Sequence, residues 1–171
     1  MSFEKRAYPY KKGNWQRKEP KINVDKAKRG NLVPLMSDEE KSSANIQDLS
    51  YDFACRITRL CQWLNDYLKI GNPDWKNIEV LEIQLQRCGT SIGANVRESN
   101  HAQSAADFLS KMQIALKEAD ESEYWINLMH DNGYIEELAY NSIYQDIERI
   151  LKVLTSIVGT TAKKIKESKS K

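Results

Sequence analysis

The chain has little of the residue types that carry covalent, redox or metal chemistry: three cysteines and two histidines in 171 positions. An odd number of cysteines (Cys55, Cys61, Cys88) spread through helical patterns is neither a disulfide framework nor a zinc motif. A reducing cytoplasm is the simplest compartment for it. No apolar run approaches 18 residues, which excludes a membrane-spanning helix. The first residues are charged and lack an apolar core segment, so no secretory leader is expected. Glycine and proline are also scarce, at seven and four. Three of those prolines (Pro9, Pro20, Pro34), with Gly13 and Gly30, fall in the first 34 residues. Regular structure is broken there and left nearly uninterrupted afterwards. No strand alternation, internal repeat or low-complexity tract is present. There is also no glycine-rich phosphate loop, Ser-His-Asp set or Cys-His pair, and the chain reads as a non-enzyme that needs no cofactor and no metal.

What is present is helical periodicity. A first long helix is expected from about Asp48 to Ile70, with an apolar stripe at Leu49, Phe53, Ile57, Leu60, Leu64 and Tyr67 or Leu68. Gly71-Asn72-Pro73 stops it and starts the next, Asn as cap and Pro in the first helical position. The second stripe runs through Trp75, Ile78, Leu81, Leu85, Cys88, Ile92 and Val96. Gly89, Gly93 and Ala94 cluster within it. A helix-interior glycine costs ~1 kcal/mol against alanine, so two of them imply the close approach of another helix. The third helix opens on Ser104 with Asp107 three residues on, a capping box. It continues through Phe108, Met112, Ala115, Ala119, Ser122, Ile126 and Met129 and ends at Asp131-Asn132-Gly133, with Gly133 as a left-handed cap. The last begins soon after Ile135 and buries Tyr140, Ile143, Ile147, Ile150 or Leu151, Leu154, Ile157 and Ile165. Four long helices joined by short loops make an all-α, antiparallel up-down-up-down four-helix bundle. It spans 46–162, between a basic, aromatic-containing arm at 1–45 and a basic tail at 163–171.

The stretch from Gln84 to Tyr134 carries a resemblance. SIGANVRES at 91–99 is similar to the Ser-Ile-x-x-Asn-Ile-x-Glu-Gly pattern of a bacterial four-helix-bundle family. That family is named for proteins encoded in intervening sequences of large-subunit ribosomal RNA genes, and includes the accessory variability determinant proteins of diversity-generating retroelements. The similarity extends through Gln84-Leu85-x-Arg87, Asp107-Phe108, Ala115, Glu121, Glu123 and Gly133-Tyr134, and covers roughly 46–162. Ser99 stands where Gly is usual, and His101 near a position often held by Arg. The first 45 residues have no counterpart in the pattern. The resemblance implies a self-associating bundle, commonly a ring-like homopentamer. In the retroelement members the ring partners a reverse transcriptase and its template RNA.

The net charge of +2 conceals a separation. Residues 1–30 hold ten Lys/Arg against three Asp/Glu, residues 31–161 eleven against twenty, and residues 162–171 five against one, for +7, −9 and +4. In the arm, Phe3, Tyr8, Tyr10 and Trp15 interleave with Lys5, Arg6, Lys11, Lys12, Arg17 and Lys18. The bland reading is a solvated tail. The functional one is an RNA- or DNA-binding arm, in which cations neutralise phosphates and aromatics stack on bases. Candidate nucleic-acid contacts are Lys5, Arg6, Lys11, Lys12, Trp15, Arg17, Lys18, Arg87, Arg97, Lys163, Lys164 and Lys166. The tail lysines also have a bland reading, at the negative end of a helix dipole. Retroelement proteins of this family are basic overall, whereas this bundle is acidic, which moves nucleic-acid binding from the bundle to the ends. The alternative function is a protein-interaction module whose arm docks on a protein partner or a neighbouring subunit, with Leu32, Val33, Pro34, Leu35 and Met36 as its docking residues.

Glu98-x-x-His101 has di-iron spacing, but the second such motif is missing. Arg97 and His101 are similar to the Arg-x4-6-His of HEPN ribonucleases, with only three residues between them. Glu118, Asp120, Glu121 and Glu123 read as a solvated face, or as partners for Arg87 or Arg97, and His130 as a capping or surface residue.

Overall fold

A computed structural model describes residues 35–68 and 75–170. The arm residues Lys5, Arg6, Lys11, Lys12, Trp15, Arg17 and Lys18, the segment Leu32–Pro34, the expected helix boundary at Ile70–Pro73 and the side chains of Tyr67 and Leu68 lie outside the described residues. Among the described residues the elements are all helical: α1 (Asp38–Ser43), α2 (Ile46–Leu68), α3 (Trp75–Ser99), α4 (Ala105–Asp131) and α5 (Glu137–Lys169). No helix among them is long and apolar enough to cross a membrane.

The four long helices pack in the cyclic order α2, α3, α4, α5 and back to α2, the last seam being the thinnest. Ser50 meets Gly93, Ile57 meets Gly89 and Cys61 bonds to the Glu82 carbonyl, so α2 and α3 run in opposite directions. The five-residue connections 100–104 and 132–136 turn the chain back twice more. The expected stripes form the core: Phe53, Ile57, Leu60 and Leu64 from α2, Leu85, Ile92 and Val96 from α3, Met112, Ala115, Ala119 and Ile126 from α4, and Ile143, Ile147, Ile150 and Leu154 from α5.

Local chemistry sets the helix ends. Ser104 Oγ accepts from the Asp107 N–H. The Asp107 carboxylate reaches back to the N–H of Gln103 and not to that of Ser104, so the expected capping box closes one residue early. At the other end of α4, Gly133 has φ 72°, its N–H meets the His130 carbonyl at 2.8 Å and the Tyr134 N–H meets the Met129 carbonyl at 2.9 Å. This is a Schellman closure, with glycine at the left-handed position.

The glycines of α3 mark its approach to α2. A Cβ on Gly89 would sit 3.0 Å from Ile57 Cγ2, and one on Gly93 would sit 3.3 Å from the Ser50 carbonyl oxygen. Ala94, grouped with them by sequence, is exposed and takes no part in this contact.

α1 is absent from the sequence expectation, which treats 1–45 as one arm. It is a single capped turn and a half: Ser37 Oγ accepts from the Glu40 N–H, and the Glu40 carboxylate accepts from the Ser37 N–H. The stretch 163–169, set apart by sequence as a tail, continues α5 as helix. At 33 residues α5 is ~50 Å long, and its last fully buried residue is Leu154, so its final turns extend beyond the core.

Cys61 and Cys88 are core residues, while Cys55 is half-buried, and all three are free thiols. Burial, reinforced by the nearby Glu82 carboxylate, pushes the Cys61 thiol up to about 12. Burial pushes Cys88 up to about 11, against a smaller opposing effect of its hydrogen bond with Ser122.

Two predictions follow from the packing. Gly93→Leu lowers thermal stability, because overpacking costs ~1–3 kcal/mol against a helix-propensity gain below ~1 kcal/mol. Gly159→Ala, where an added Cβ meets nothing within 4 Å, raises it by ~0.5–1 kcal/mol. Melting of the two variants beside wild type checks both signs. The thiols predict an alkaline limit. Their native pKa values lie above the ordinary 9.0, so above pH 9 the unfolded thiols ionise first. This stability is fully present below pH 9 and is lost as pH rises toward 11 and 12. Urea midpoints from pH 8 to 11 for wild type and Cys61→Ala/Cys88→Ala read it as a steeper alkaline loss in wild type.

Candidate partner-binding face and buried charge cluster

The helical period of α3 places Val80, Ile83, Arg87, Thr90, Ala94 and Arg97 on one outward stripe, and all six are exposed. Two large aliphatic side chains among them stand in solvent, Val80 at 58% and Ile83 at 51%. The lower part of the stripe borders a groove of about 590 Å³ between α2 and α3. Its walls are Gln47, Asp48, Tyr51 and Ala54 on one side and Thr90, Gly93, Ala94 and Arg97 on the other. Tyr51 is 62% exposed at its edge. The groove exists because glycine at 93 lets the two backbones close to contact beneath it. α4 presents a different outward face: Asp120, Glu121 and Lys117 with exposed Ile114 and Tyr124.

The 91–99 segment itself is mostly packing. Ile92 and Val96 are core, Gly93 is the close contact, and Asn95 donates to the Ser91 carbonyl at 2.9 Å. Ser99 is buried with its hydroxyl donating to the Val96 carbonyl at 2.8 Å. Only Ala94, Arg97 and Glu98 of this segment face solvent.

The structure separates several groups that the sequence placed side by side. Glu98 is tied by Lys111 at 2.6 Å. His101 is exposed in the following turn, and no metal-ligand cluster forms among the described residues. Glu121 and Glu123 do not take Arg87 or Arg97. Trp125 Nε1 donates to Glu121 at 3.1 Å, and Glu123 acts on Tyr144, whose hydroxyl it pushes above its usual pKa. Arg87 lies near Glu118, whose carboxyl is pushed up by burial first and by Glu121 second, with Arg87 pulling the other way. His130 is more than a cap. Its ring stacks on Tyr140 at 3.9 Å, and Nε2 lies 2.9 Å from the Glu137 carboxylate, which pins the start of α5 to the end of α4. That bond, with a second from Asn141, holds Glu137 below the usual carboxylate range. Lys163, Lys164 and Lys166 are exposed on the α5 extension.

Sequence reasoning missed a buried charge cluster on the α2–α5 seam. Lys41 Nζ lies 2.9 Å from Asp146 and 3.5 Å from Asp52, and Arg56 also pairs with Asp146. Lys41, Asp52 and Asp146 are each under 10% exposed. Leu35 and Met36, expected to dock on a neighbouring subunit, are half-buried, and the Met36 N–H donates to Asp52 at 2.7 Å within the same chain. The only sequence signal was that Asp52, Arg56 and Asp146 each adjoin a core-stripe residue. Nothing local identifies partners some 90 to 105 positions apart.

The comparisons with known proteins agree with this architecture. The sequence model of the 23S rRNA-intervening sequence protein family matches residues 44–156, well over half of the chain. A crystal structure of a protein with unknown function from the S23 ribosomal protein family, from Bacteroides thetaiotaomicron VPI-5482, is 44% identical. It aligns with a TM-score of 0.60 over 67% of this chain and 98% of its own. No curated protein matches the chain. With the 91–99 segment at the helix contact that builds the bundle, the chain belongs to the 23S rRNA-intervening sequence protein family.

Proposed function

We propose that this protein is a non-catalytic scaffold that assembles with copies of itself and holds RNA or DNA through its basic ends, as an accessory protein of the retroelement kind. The observation that carries the reading is the charge separation: +7 in residues 1–30 and +4 in 162–171 around a body of −9. An acidic body repels phosphate, so attraction comes from the ends. On the C-terminal side Lys163, Lys164 and Lys166 stand clear of the core on the last turns of α5. A reverse transcriptase is the protein partner this reading assigns.

Self-association is assigned to the outward stripe of α3, with a second copy as its occupant. Exposed Val80 and Ile83 favour burial, and Arg87 and Arg97 complement Asp120 and Glu121 on the α4 face of a neighbour. Two different faces meeting head to tail generate a ring when the rotation closes, and a homopentamer is the ring proposed here. In this reading Arg87 and Arg97 serve subunit contact instead of phosphate.

The second reading, a protein-interaction module, draws support from one observation. The end of the arm contacts protein, the Met36 N–H donating to Asp52 on α2 and Lys41 Nζ to Asp146 on α5. In that reading the remaining arm also docks on protein.

Two measurements test these assignments. Titration of a single-stranded RNA at several salt concentrations compares the full chain, residues 31–171 and Trp15→Ala. If five of the ten basic residues in 1–30 engage phosphate, truncation reduces the slope of log affinity against log salt by ~3.5 per chain. Trp15→Ala costs ~1–3 kcal/mol with the slope nearly unchanged if the indole stacks on a base. Equal affinity and slope for full and truncated chains rejects the arm as the binding element, and no binding by any of the three hands the function to the second reading. Native mass spectrometry at micromolar concentration is expected to show a homo-oligomer for wild type and a shift toward monomer for Val80→Glu/Ile83→Glu. Monomer alone in wild type rejects self-association.

A further inference from the structure

We infer that the α2–α5 seam contains a socket for a primary ammonium group, which Lys41 fills in cis, so that residues 36–41 form a detachable strap across the seam. The inference stands apart from the proposed nucleic-acid role.

The socket is built by the bundle. Asp146 accepts from Arg56, whose guanidinium is held in place by Nη2 donating to Ser142 Oγ at 2.7 Å. Asp52 faces Asp146 from α2. Its Oδ1 accepts the Met36 N–H, while its buried Oδ2 has no hydrogen bond and lies 3.5 Å from Lys41 Nζ. The walls therefore carry two negative charges and one positive, in a site nearly closed to water. One more positive charge makes the site neutral. Arg56 already occupies one side, and the space left is filled by a compact ammonium group. Lys41 Nζ supplies it, donating to Asp146 Oδ1 at 2.9 Å and Oδ2 at 3.1 Å and turning its remaining side toward Asp52.

The occupant does not belong to the bundle. The family match begins at residue 44, so Asp52, Arg56, Ser142 and Asp146 lie inside it and Lys41 outside. α1 has six residues, too few to be stable alone, and Lys41 is its only buried side chain. Among the described residues the polar contacts of the strap with the bundle are the Lys41 ammonium and the Met36 N–H, beside the half-buried side chain of Met36, and both polar contacts end on the same pair of carboxylates. When the ammonium leaves, Asp52 loses its cation and the strap loses its anchor, so detachment is a two-state event.

The test uses the full chain. Lys41→Ala leaves the socket one charge short and lowers the melting midpoint by ~10 °C. n-Propylammonium chloride restores several degrees to this variant in a saturable manner, whereas tetramethylammonium chloride at the same concentration, which has no N–H, does not. Wild type responds to both salts alike. An unchanged midpoint in Lys41→Ala, or equal effects of the two salts on the variant, overturns the socket. Should Lys41→Ala fail to fold, Asp52→Asn retains Lys41 and loosens the strap. Tryptic cleavage after Lys41, followed by mass spectrometry, is then expected to run about tenfold faster than in wild type, and equal rates overturn the strap.

Discussion

The close contact of α2 and α3 is the constraint on which the rest of this molecule depends. At Gly93 the α3 backbone comes near enough to the Ser50 carbonyl that even a methyl group would sit at 3.3 Å, and at Gly89 the Ile57 side chain fills the space directly. Where the axes come this close, a side chain such as Ile57 fits between them only over a glycine, and the core residues of both helices pack inward toward α4 and α5. This approach produces the groove above Gly93. It also explains why the segment that marks the family is made mostly of buried and small residues. Its positions are held by geometry, and the chemistry of the molecule lies elsewhere.

The opposite seam is closed by different means. α2 and α5 have less direct packing, and polar groups fill part of the space between them. Two acids and two bases are neutral together, and each buried carboxylate has a cation within 4 Å. A buried set of this kind adds little net stability compared with well-packed aliphatic side chains, but loss of one member leaves an uncompensated charge. What it contributes here is position. It joins residues near 41, 52 and 146, and so settles where the chain preceding the bundle is attached.

Apolar side chains left in solvent stand on the outward sides of α3 (Val80, Ile83) and α4 (Ile114, Tyr124), with further ones at Tyr51 on α2 and Leu138 on α5. The lysines of α5 stand apart on the end that extends beyond the core. Each face has its own character because the 3.6-residue period assigns every exposed position of a long helix to one direction.

The sequence by itself determined the four long helices, most of their core stripes and the glycine cap after α4. A long apolar period, a Ser-x-x-Asp start and an Asn-Gly stop are local signals with local causes. It also identified Gly89 and Gly93 as points of close approach, because glycine inside a helix is costly without a neighbour. It could not separate Ala94 from them, since an alanine suits an exposed groove and a tight contact equally. The tertiary structure alone decided the rest. Asp52, Arg56 and Asp146 look in sequence like polar residues at the margin of a stripe, and Lys41 like one more base in a basic arm. Only the folding of α5 back against α2 brings them within bonding distance. The outward stripe of α3 was likewise invisible, because Val80 and Ile83 are as apolar as the core, and what leaves them in solvent is that α3 has neighbours on its other sides only.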